Sequence, residues 1–181
     1  MSDSTPFKVP AREQVAPEAQ ATFDMLTRVT GKVPNLYATI GYSANALNSY
    51  MAFVQAQAKG TFHHKDREAI YLIVSELNGC EYCLASHTLS AIKGGWTEAE
   101  TRQLRSGKYN DKKWVAIYTF IDSVIAHRGQ VSDDILKQFY EAGYDEKAVM
   151  DLMALISVMS FTNYTYRLTQ IPIDFPAAPA I

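Results

Sequence analysis

The chain of 181 residues is long enough for one domain with a hydrophobic core, and too short for a second independent domain to be expected. Seventeen basic and nineteen acidic residues give a net charge of −2 without any dense group of Lys and Arg, so we expect no nucleic-acid partner. Asp3 stands where a secretory signal would carry basic residues, and the uncharged run from 33 to 58 is too polar for a membrane span. We therefore expect a cytoplasmic protein without a membrane partner.

Apolar residues recur at spacings of three and four between frequent turn signals, and no segment alternates with a period of two. This pattern predicts an all-α protein, a single-domain helical bundle of about seven to nine helices. In chain order, helices are predicted at 17–30, from Pro34, at 43–59, from His64 or Asp66 to 78, and at 80–93, 97–106, 111–127, 132–142 and 145–169.

The ends of the chain are predicted to be non-helical. Residues 1–10 would form an N-terminal arm, 11–170 the helical domain, and 171–181 an extended tail on the surface, because prolines interrupt both ends. The uncharged helices between 33 and 58 and the apolar last helix offer more hydrophobic surface than one small core needs. We therefore expect a homo-oligomer, and the alternative is a monomer whose core uses all of this surface.

The stretch NGCEYCLASH, residues 78–87, contains both cysteines of the chain. In a reducing compartment such a close pair indicates redox chemistry or metal binding. On a helix, the Cα atoms of Cys80 and Cys83 would lie about 5 Å apart, within the range of about 4.4 to 6.8 Å that a disulfide requires. His87 would lean toward Cys83, and a neighbouring base favours a thiolate there. Cys80 would lie nearer the helix N-terminus, which also stabilises a thiolate, so the spacing leaves both sulfurs open as the nucleophile.

Two other interpretations of this stretch exist. The cysteines could be buried apolar fillers beside an ordinary histidine. They could also bind zinc together with His87 and a fourth ligand, Glu68 or His64. Zinc sites usually take their second pair of ligands from an equally recognisable motif, which is missing here, so we expect neither a metal nor a cofactor.

Glu68, Cys80, Cys83 and His87, at their intervals, resemble the motif of a known family. The segment REAIYLIVSELNGCEYCLASHT, residues 67–88, and NYTYRLTQIPIDFP, from Asn163, are similar to the alkylhydroperoxidase D-like (AhpD-like) group of the carboxymuconolactone decarboxylase superfamily, in its peroxidase-related branch. The resemblance implies an all-helical fold of the AhpD-like type, assembly into trimers or hexamers, and reduction of alkyl hydroperoxides by a cysteine pair.

The resemblance also implies roles for single residues. Cys83 would be the peroxidatic cysteine, Cys80 the resolving one, and Glu68 with His87 a proton relay acting through water. An external dithiol would reset the pair, and in some members of the family a lipoyl-bearing adaptor supplies it. Tyr82 stands where the best-known member of the family has a second histidine, which leaves the level of peroxidase turnover open.

The relay carboxylate has a rival. If the helices before and after Gly79 form an antiparallel hairpin, residue 71 lies opposite His87 and Glu68 lies one turn further along, whereas Glu76 lies nearer Cys83. Geometry leaves both carboxylates open, and the resemblance favours Glu68. Two other functions also remain as alternatives to the thiol peroxidase. One is a redox-sensing thiol–disulfide module with little turnover, and the other is a decarboxylase or lactone-handling enzyme, whose chemistry has no use for a dithiol.

Overall fold

The computed structural model describes residues 7–181, and no strand occurs among these residues. The helices are α1 Pro17–Thr30, α2 Asn35–Ile40, α3 Ala44–Ala56, α4 His64–Leu77, α5 Glu81–Lys93, α6 Glu98–Ser106, α7 Lys112–Ala126, α8 Asp133–Glu141 and α9 Glu146–Thr169, with short 3-10 turns at Arg12–Gln14 and Gln57–Lys59. The all-α prediction is therefore confirmed, with nine α-helices in this part of the chain. The N-terminal arm predicted at 1–10 lies partly outside the described residues.

Several helices begin at the cap residues that the sequence indicates. The Ser43 side chain accepts a hydrogen bond from Ala46 N at 3.1 Å at the start of α3. At the start of α6, Thr97 Oγ1 accepts from Glu100 N at 3.2 Å, and Glu100 Oε2 accepts from Thr97 N at 2.7 Å. This reciprocal pair satisfies two backbone donors of the first turn, and the capping box predicted there is confirmed.

Helices α4 and α9 form the centre of the bundle. Residues 69–74 of α4 are buried on every side of the helix. Helix α9 packs against α4, α2, α3 and α5, and it buries Leu152, Leu155 and Met159 almost completely. Because α9 contacts four other helices, it needs apolar residues on several of its faces, which agrees with its largely apolar sequence.

The turn between α4 and α5 makes the two helices an antiparallel hairpin. Gly79 adopts a left-handed conformation with φ of 62°, and Cys80 N donates to Ser75 O at 2.9 Å to close the end of α4. Arg167 of α9 donates to the carbonyl of Asn78 at 2.9 Å and so holds the turn against the bundle. The hairpin fixes which residues of α4 face those of α5.

The C-terminal tail, residues 171–181, contains neither helix nor strand, as its prolines predict. The expectation that it lies on the surface was wrong for its first part, because Ile171 is buried and Asp174 and Phe175 are half-buried. Asp174 accepts a hydrogen bond from Tyr82 Oη at 2.6 Å and pairs with Lys32 at 2.8 Å. The surface prediction rested on the prolines of the tail, which give no information about polar contacts of this kind.

One face of the second half of α9 carries exposed apolar side chains. Phe161, Tyr164 and Leu168 are 41%, 58% and 69% exposed, and their spacing of three and four residues puts them on the same face. Among the described helices, none combines the length and the apolar character that crossing a membrane would require.

Candidate active site

Cys80 and Cys83 are both reduced and both buried, and they lie at the start of α5. Cys80 is the N-cap residue, with an extended backbone (φ −99°, ψ 93°), whereas the sequence argument placed it inside the helix. In this position its sulfur accepts a hydrogen bond from the backbone N–H of Cys83 at 3.3 Å, and the two Sγ atoms lie 2.6 Å apart. The two thiols are therefore close enough to react with one another without a rearrangement of the backbone.

The surroundings favour negative charge on Cys80 rather than on Cys83. The thiol of Cys83 donates to the sulfur of Cys80 and lowers the pKa of Cys80, helped by the Cys83 backbone N–H, the side chain of Asn163 and the positive charge of Arg167, against the opposing effect of burial. Burial raises the pKa of Cys83 well above its ordinary value, and the bond to Cys80 acts in the same direction. Of the two thiols, Cys80 therefore loses its proton more readily than Cys83.

Glu68 and His87 meet across the hairpin. His87 Nδ1 donates to Glu68 Oε2 at 2.8 Å, and the ring of Tyr71 packs on the imidazole with its centroid 5.0 Å away. Glu68 is buried and His87 is partly buried, so water screens the contact only weakly. A carboxylate on Nδ1 fixes the ring orientation and leaves Nε2 as the nitrogen available to another group.

The rival carboxylate Glu76 is engaged elsewhere. Its Oε2 accepts from Arg105 Nε at 2.7 Å, and the guanidinium is itself buried, with 6% of its side chain exposed. A buried arginine needs a counter-charge, so Glu76 stabilises the packing of α6 on α4. The hairpin therefore brings Glu68, and not Glu76, to His87.

A small cavity of about 40 Å³ lies beside Cys83. It is lined by Pro34, Leu36, Tyr37, Tyr50, Tyr82, Cys83, Ser86, His87 and Thr162. This volume accepts a water molecule or a group of similar size. Five of these residues also line a wider cavity of about 470 Å³, which reaches Glu68, Lys32 and Phe175. Cys83 thus faces a small polar space at the end of a larger one, whereas Cys80 lines neither.

The structure brings all four residues of the sequence motif to one place. Cys83 lines the small cavity, Glu68 lines the wider one, and His87 lines both. Cys80 lines neither cavity but contacts Cys83. Within residues 7–181, no three His, Cys, Asp or Glu side chains converge in a way that would hold a metal ion.

Sequence reasoning missed Asn163, a buried residue of α9. Its side chain donates to Ser75 Oγ at 3.2 Å and accepts from Asn78 Nδ2 at 2.9 Å, directly beneath the dithiol turn. The side chain of Asn163 also lowers the pKa of Cys80. An asparagine in the middle of an apolar helix was the available signal, because a buried amide must find partners.

Comparisons with known proteins found similarity in the region of the α4–α5 hairpin and in the fold as a whole. Residues 44–109, which include α4, α5 and α6, match the carboxymuconolactone decarboxylase family. The uncharacterised protein YdfG of Bacillus subtilis (strain 168) is 27% identical over 109 residues, which are 58% of this chain and 74% of that protein.

Solved structures resemble the chain over nearly its whole length. The alkylhydroperoxidase AhpD core of an uncharacterised peroxidase-related protein from Ralstonia eutropha JMP134 has a TM-score of 0.82 at 17% identity and covers 93% of this chain and 91% of its own. A peroxidase-related protein from Silicibacter sp. TM1040 has a TM-score of 0.77 at 18% identity, covering 97% and 93%. A cysteine-to-alanine variant of the debrominase Bmp8, in complex with 2,3,4-tribromopyrrole, has a TM-score of 0.78 at 17% identity, covering 96% and 94%.

The likeness to these structures concerns the fold, and the family match concerns the helices that carry the dithiol. The two findings agree with one another and with the motif that runs from Glu68 to His87. Residues 44–109 thus match the carboxymuconolactone decarboxylase family, and the fold of the chain resembles the folds of the alkylhydroperoxidase AhpD core and of the peroxidase-related protein.

Proposed function

We propose that the protein is a thiol-dependent peroxidase that reduces organic hydroperoxides through a Cys83/Cys80 dithiol–disulfide cycle. The observation that carries this proposal is the arrangement of two reduced sulfurs 2.6 Å apart beside a cavity that also exposes His87, whose Nδ1 is held by Glu68. A peroxidase needs one thiolate that the peroxide can reach and a second thiol that removes the oxidised product. Cys83, which lines the cavity, and Cys80, which lies next to it, would fill these two roles once Cys83 has lost its proton.

Cys83 is the nucleophile in this proposal, because it lines the cavity and Cys80 does not. Its thiolate attacks an oxygen of the hydroperoxide, the O–O bond breaks, and the leaving alkoxide takes up a proton to become the alcohol. Cys83 is then a sulfenic acid. The Cys80 thiolate attacks that sulfur and releases hydroxide, which is protonated to water, so that the Cys80–Cys83 disulfide remains. The bond from the Cys83 thiol is lost at this stage, but the Cys83 backbone N–H, the Asn163 side chain and the charge of Arg167 still lower the pKa of Cys80 for this second step.

His87 and Glu68 move the protons. The thiol of Cys83 must lose its proton although burial raises its pKa. His87 lines the same small cavity, where a water can join its Nε2 to the sulfur. The carboxylate of Glu68 stabilises the imidazolium that results, and the same proton then returns to the leaving alkoxide. Glu68 itself need not change its protonation state.

A dithiol from outside the chain must close the cycle, since the disulfide has consumed both thiols. A dihydrolipoyl group is the reductant that the family resemblance favours, and in a test it is supplied as free dihydrolipoamide. Two thiols of the reductant become a disulfide, and Cys80 and Cys83 regain their protons.

The assay is the consumption of cumene hydroperoxide by the reduced protein with excess dihydrolipoamide. We expect many turnovers with the wild type and only the uncatalysed background with Cys83→Ser. Tyr140→Phe, which alters an exposed side chain on α8, is the control and should match the wild type. Consumption by Cys83→Ser at the wild-type rate, or none by the wild type, would contradict the proposal.

A second candidate is reductive debromination of an aromatic compound. It is favoured by the tribromopyrrole bound to Bmp8 and by the aromatic side chains Tyr37, Tyr50 and Tyr71 of the cavities here. The reaction would convert an aryl bromide and the Cys80–Cys83 dithiol into the arene, bromide, a proton and the disulfide. Release of bromide from 2,3,4-tribromopyrrole, faster than the turnover of cumene hydroperoxide, would transfer the assignment to this reaction.

We further propose that the protein is a homo-oligomer that uses the exposed face of α9. Phe161, Tyr164 and Leu168 would leave water when two copies meet there, and burial of apolar area is the main driving force of such association. Light scattering after size exclusion tests this. We expect a trimer or hexamer for the wild type and smaller species for Leu168→Asp, and a wild-type monomer would refute it.

A further inference from the structure

The C-terminal segment from Ile171 to Phe175 borders the dithiol site, since its Phe175 lines the wider cavity. It is tied to the start of α2 on the other side of the cavity: Lys32 pairs with the Asp174 carboxylate at 2.8 Å and also donates to its backbone carbonyl, and Asn35 Nδ2 donates to Pro172 O at 3.1 Å. Lys32 also lies over the ring of Phe175, 4.4 Å from its centroid. The start of α2 and the C-terminal segment, on two sides of the cavity, are thus held together by several polar contacts.

Tyr82, a residue of α5 between the two cysteines, connects α5 both to α2 and to the C-terminal segment. Its hydroxyl accepts from Leu36 N at 3.1 Å and donates to Asp174 Oδ1 at 2.6 Å. Phe175 packs edge-on against its ring, with 5.5 Å between centroids. A single phenol therefore contacts α2 and the tail, and it also lines the small cavity with Cys83.

The closed arrangement limits what can reach Cys83. The residue is only 2% exposed, and the cavity beside it holds about 40 Å³. A peroxide group can enter such a space, whereas a reductant that must bring its own sulfur into line with a disulfide needs more room. Something beside Cys83 must move before a bulky thiol can react there.

We propose that Tyr82 and Asp174 form a latch that holds the segment Ile171–Phe175 shut over the dithiol and so determines the size of the molecules that reach Cys83. Tyr82 is a positioning residue in this account, because it acts on the tail and not on the reacting atoms. The phenol donates to a charged carboxylate, which makes the bond strong enough to favour the closed state and weak enough to open repeatedly. The proposal concerns the site of the proposed function, but it is tested without turnover, so that either one can fail alone.

The test measures alkylation of Cys83 by a small reagent, iodoacetamide, and by a bulky one, a maleimide carrying fluorescein. Cys80→Ser is the background, so that a single thiol reports, and the ratio of the two rates cancels changes in thiol ionisation. Tyr82→Phe keeps the ring and removes the hydroxyl, and Asp174→Asn removes the charge. Tyr140→Phe, 37% exposed on α8, is the matched control.

We expect the ratio of bulky to small alkylation to rise about tenfold in Tyr82→Phe and Asp174→Asn, the factor that the loss of a hydrogen bond to a charged group produces. The ratio should stay unchanged in Tyr140→Phe. If Tyr82→Phe does not fold, as judged by circular dichroism, Asp174→Asn alone decides. An unchanged ratio in the folded latch variants, including equal acceleration of both reagents, would overturn the proposal. An equal rise in Tyr140→Phe would overturn it as well.

Discussion

Glu68→Gln tests the proton relay, because it removes the charge of the carboxylate and keeps its shape. His87 Nδ1 donates to Glu68 at 2.8 Å, and the two side chains are only 20% and 10% exposed. Hydrogen bonds to charged groups contribute about 1.5 to 3 kcal/mol, against about 0.5 to 1.5 kcal/mol for neutral ones. Glutamine still accepts from Nδ1, so the variant loses the difference between the two, about 1 to 1.5 kcal/mol.

If that difference stabilises the imidazolium in the transition state, kcat/KM for cumene hydroperoxide falls about 5- to 12-fold, since each 1.36 kcal/mol corresponds to about a factor of ten. The assay is steady-state consumption of cumene hydroperoxide with dihydrolipoamide, expressed per folded protein. The effect should be on kcat/KM, because the relay acts before the disulfide is formed.

Glu76→Gln is the matched control, since it changes the rival carboxylate of the same helix. Arg105 loses the counter-charge at 2.7 Å, and we expect a loss of about 1 to 3 kcal/mol in the free energy of unfolding with an unchanged kcat/KM. A wild-type kcat/KM in Glu68→Gln would refute the role of Glu68 in the proton relay. A larger loss of activity per folded protein in Glu76→Gln than in Glu68→Gln would refute it as well.

The remaining predictions concern the thiol pair and the turn before it. Cys83→Ser keeps a hydrogen-bond donor to the Cys80 sulfur and Cys83→Ala removes it, so the pKa of Cys80 should be lower in the serine variant. In a pH titration, the thiolate absorbance of Cys80 should therefore rise at lower pH in Cys83→Ser than in Cys83→Ala. Identical titration curves would count against this hydrogen bond as a cause of the lowered pKa. Gly79→Ala places a Cβ at a φ of 62° and 2.8 Å from Arg167 Nη1, so we expect a loss of about 1 to 3 kcal/mol in urea unfolding. Gly143→Ala, with φ of 94° and no neighbour within 4 Å, should lose less, and an equal loss would show that backbone strain alone is responsible.

The helices were predictable because their signals are local. Cap residues such as Ser43 and Thr97 and the periodic apolar residues act within one or two turns, and the structure uses them as the sequence indicates. The position of Cys80 was the exception. A residue just before a helix has no side-chain pattern that separates it from the first helical position, and only the backbone dihedral angles show that its sulfur caps the helix.

The arrangement of Glu68 opposite His87 was predictable in part. Reflection through the Gly79 turn correctly brought residue 71 to His87, and it left Glu68 and Glu76 open. The choice between them depends on Arg105, which comes from α6, a helix whose packing on α4 no spacing rule predicts.

The contacts of the tail were not predictable, because they join residues that are far apart in the chain. Tyr82 and Asp174 are separated by 92 residues, and Lys32 and Asp174 by 142. The prolines of the tail rule out a helix, but they do not indicate where the extended chain lies. Such pairings follow from the tertiary fold alone.

The central claim is that Cys83 attacks the hydroperoxide and Cys80 resolves the product. The most direct measurement is the mass of the peptide that contains residue 83, after one equivalent of cumene hydroperoxide and trapping with dimedone. We expect a Cys80–Cys83 disulfide in the wild type, a dimedone adduct on Cys83 in Cys80→Ser, and no adduct in Cys83→Ser. An adduct on Cys80 in Cys83→Ser, with Cys83 unmodified in Cys80→Ser, would contradict it.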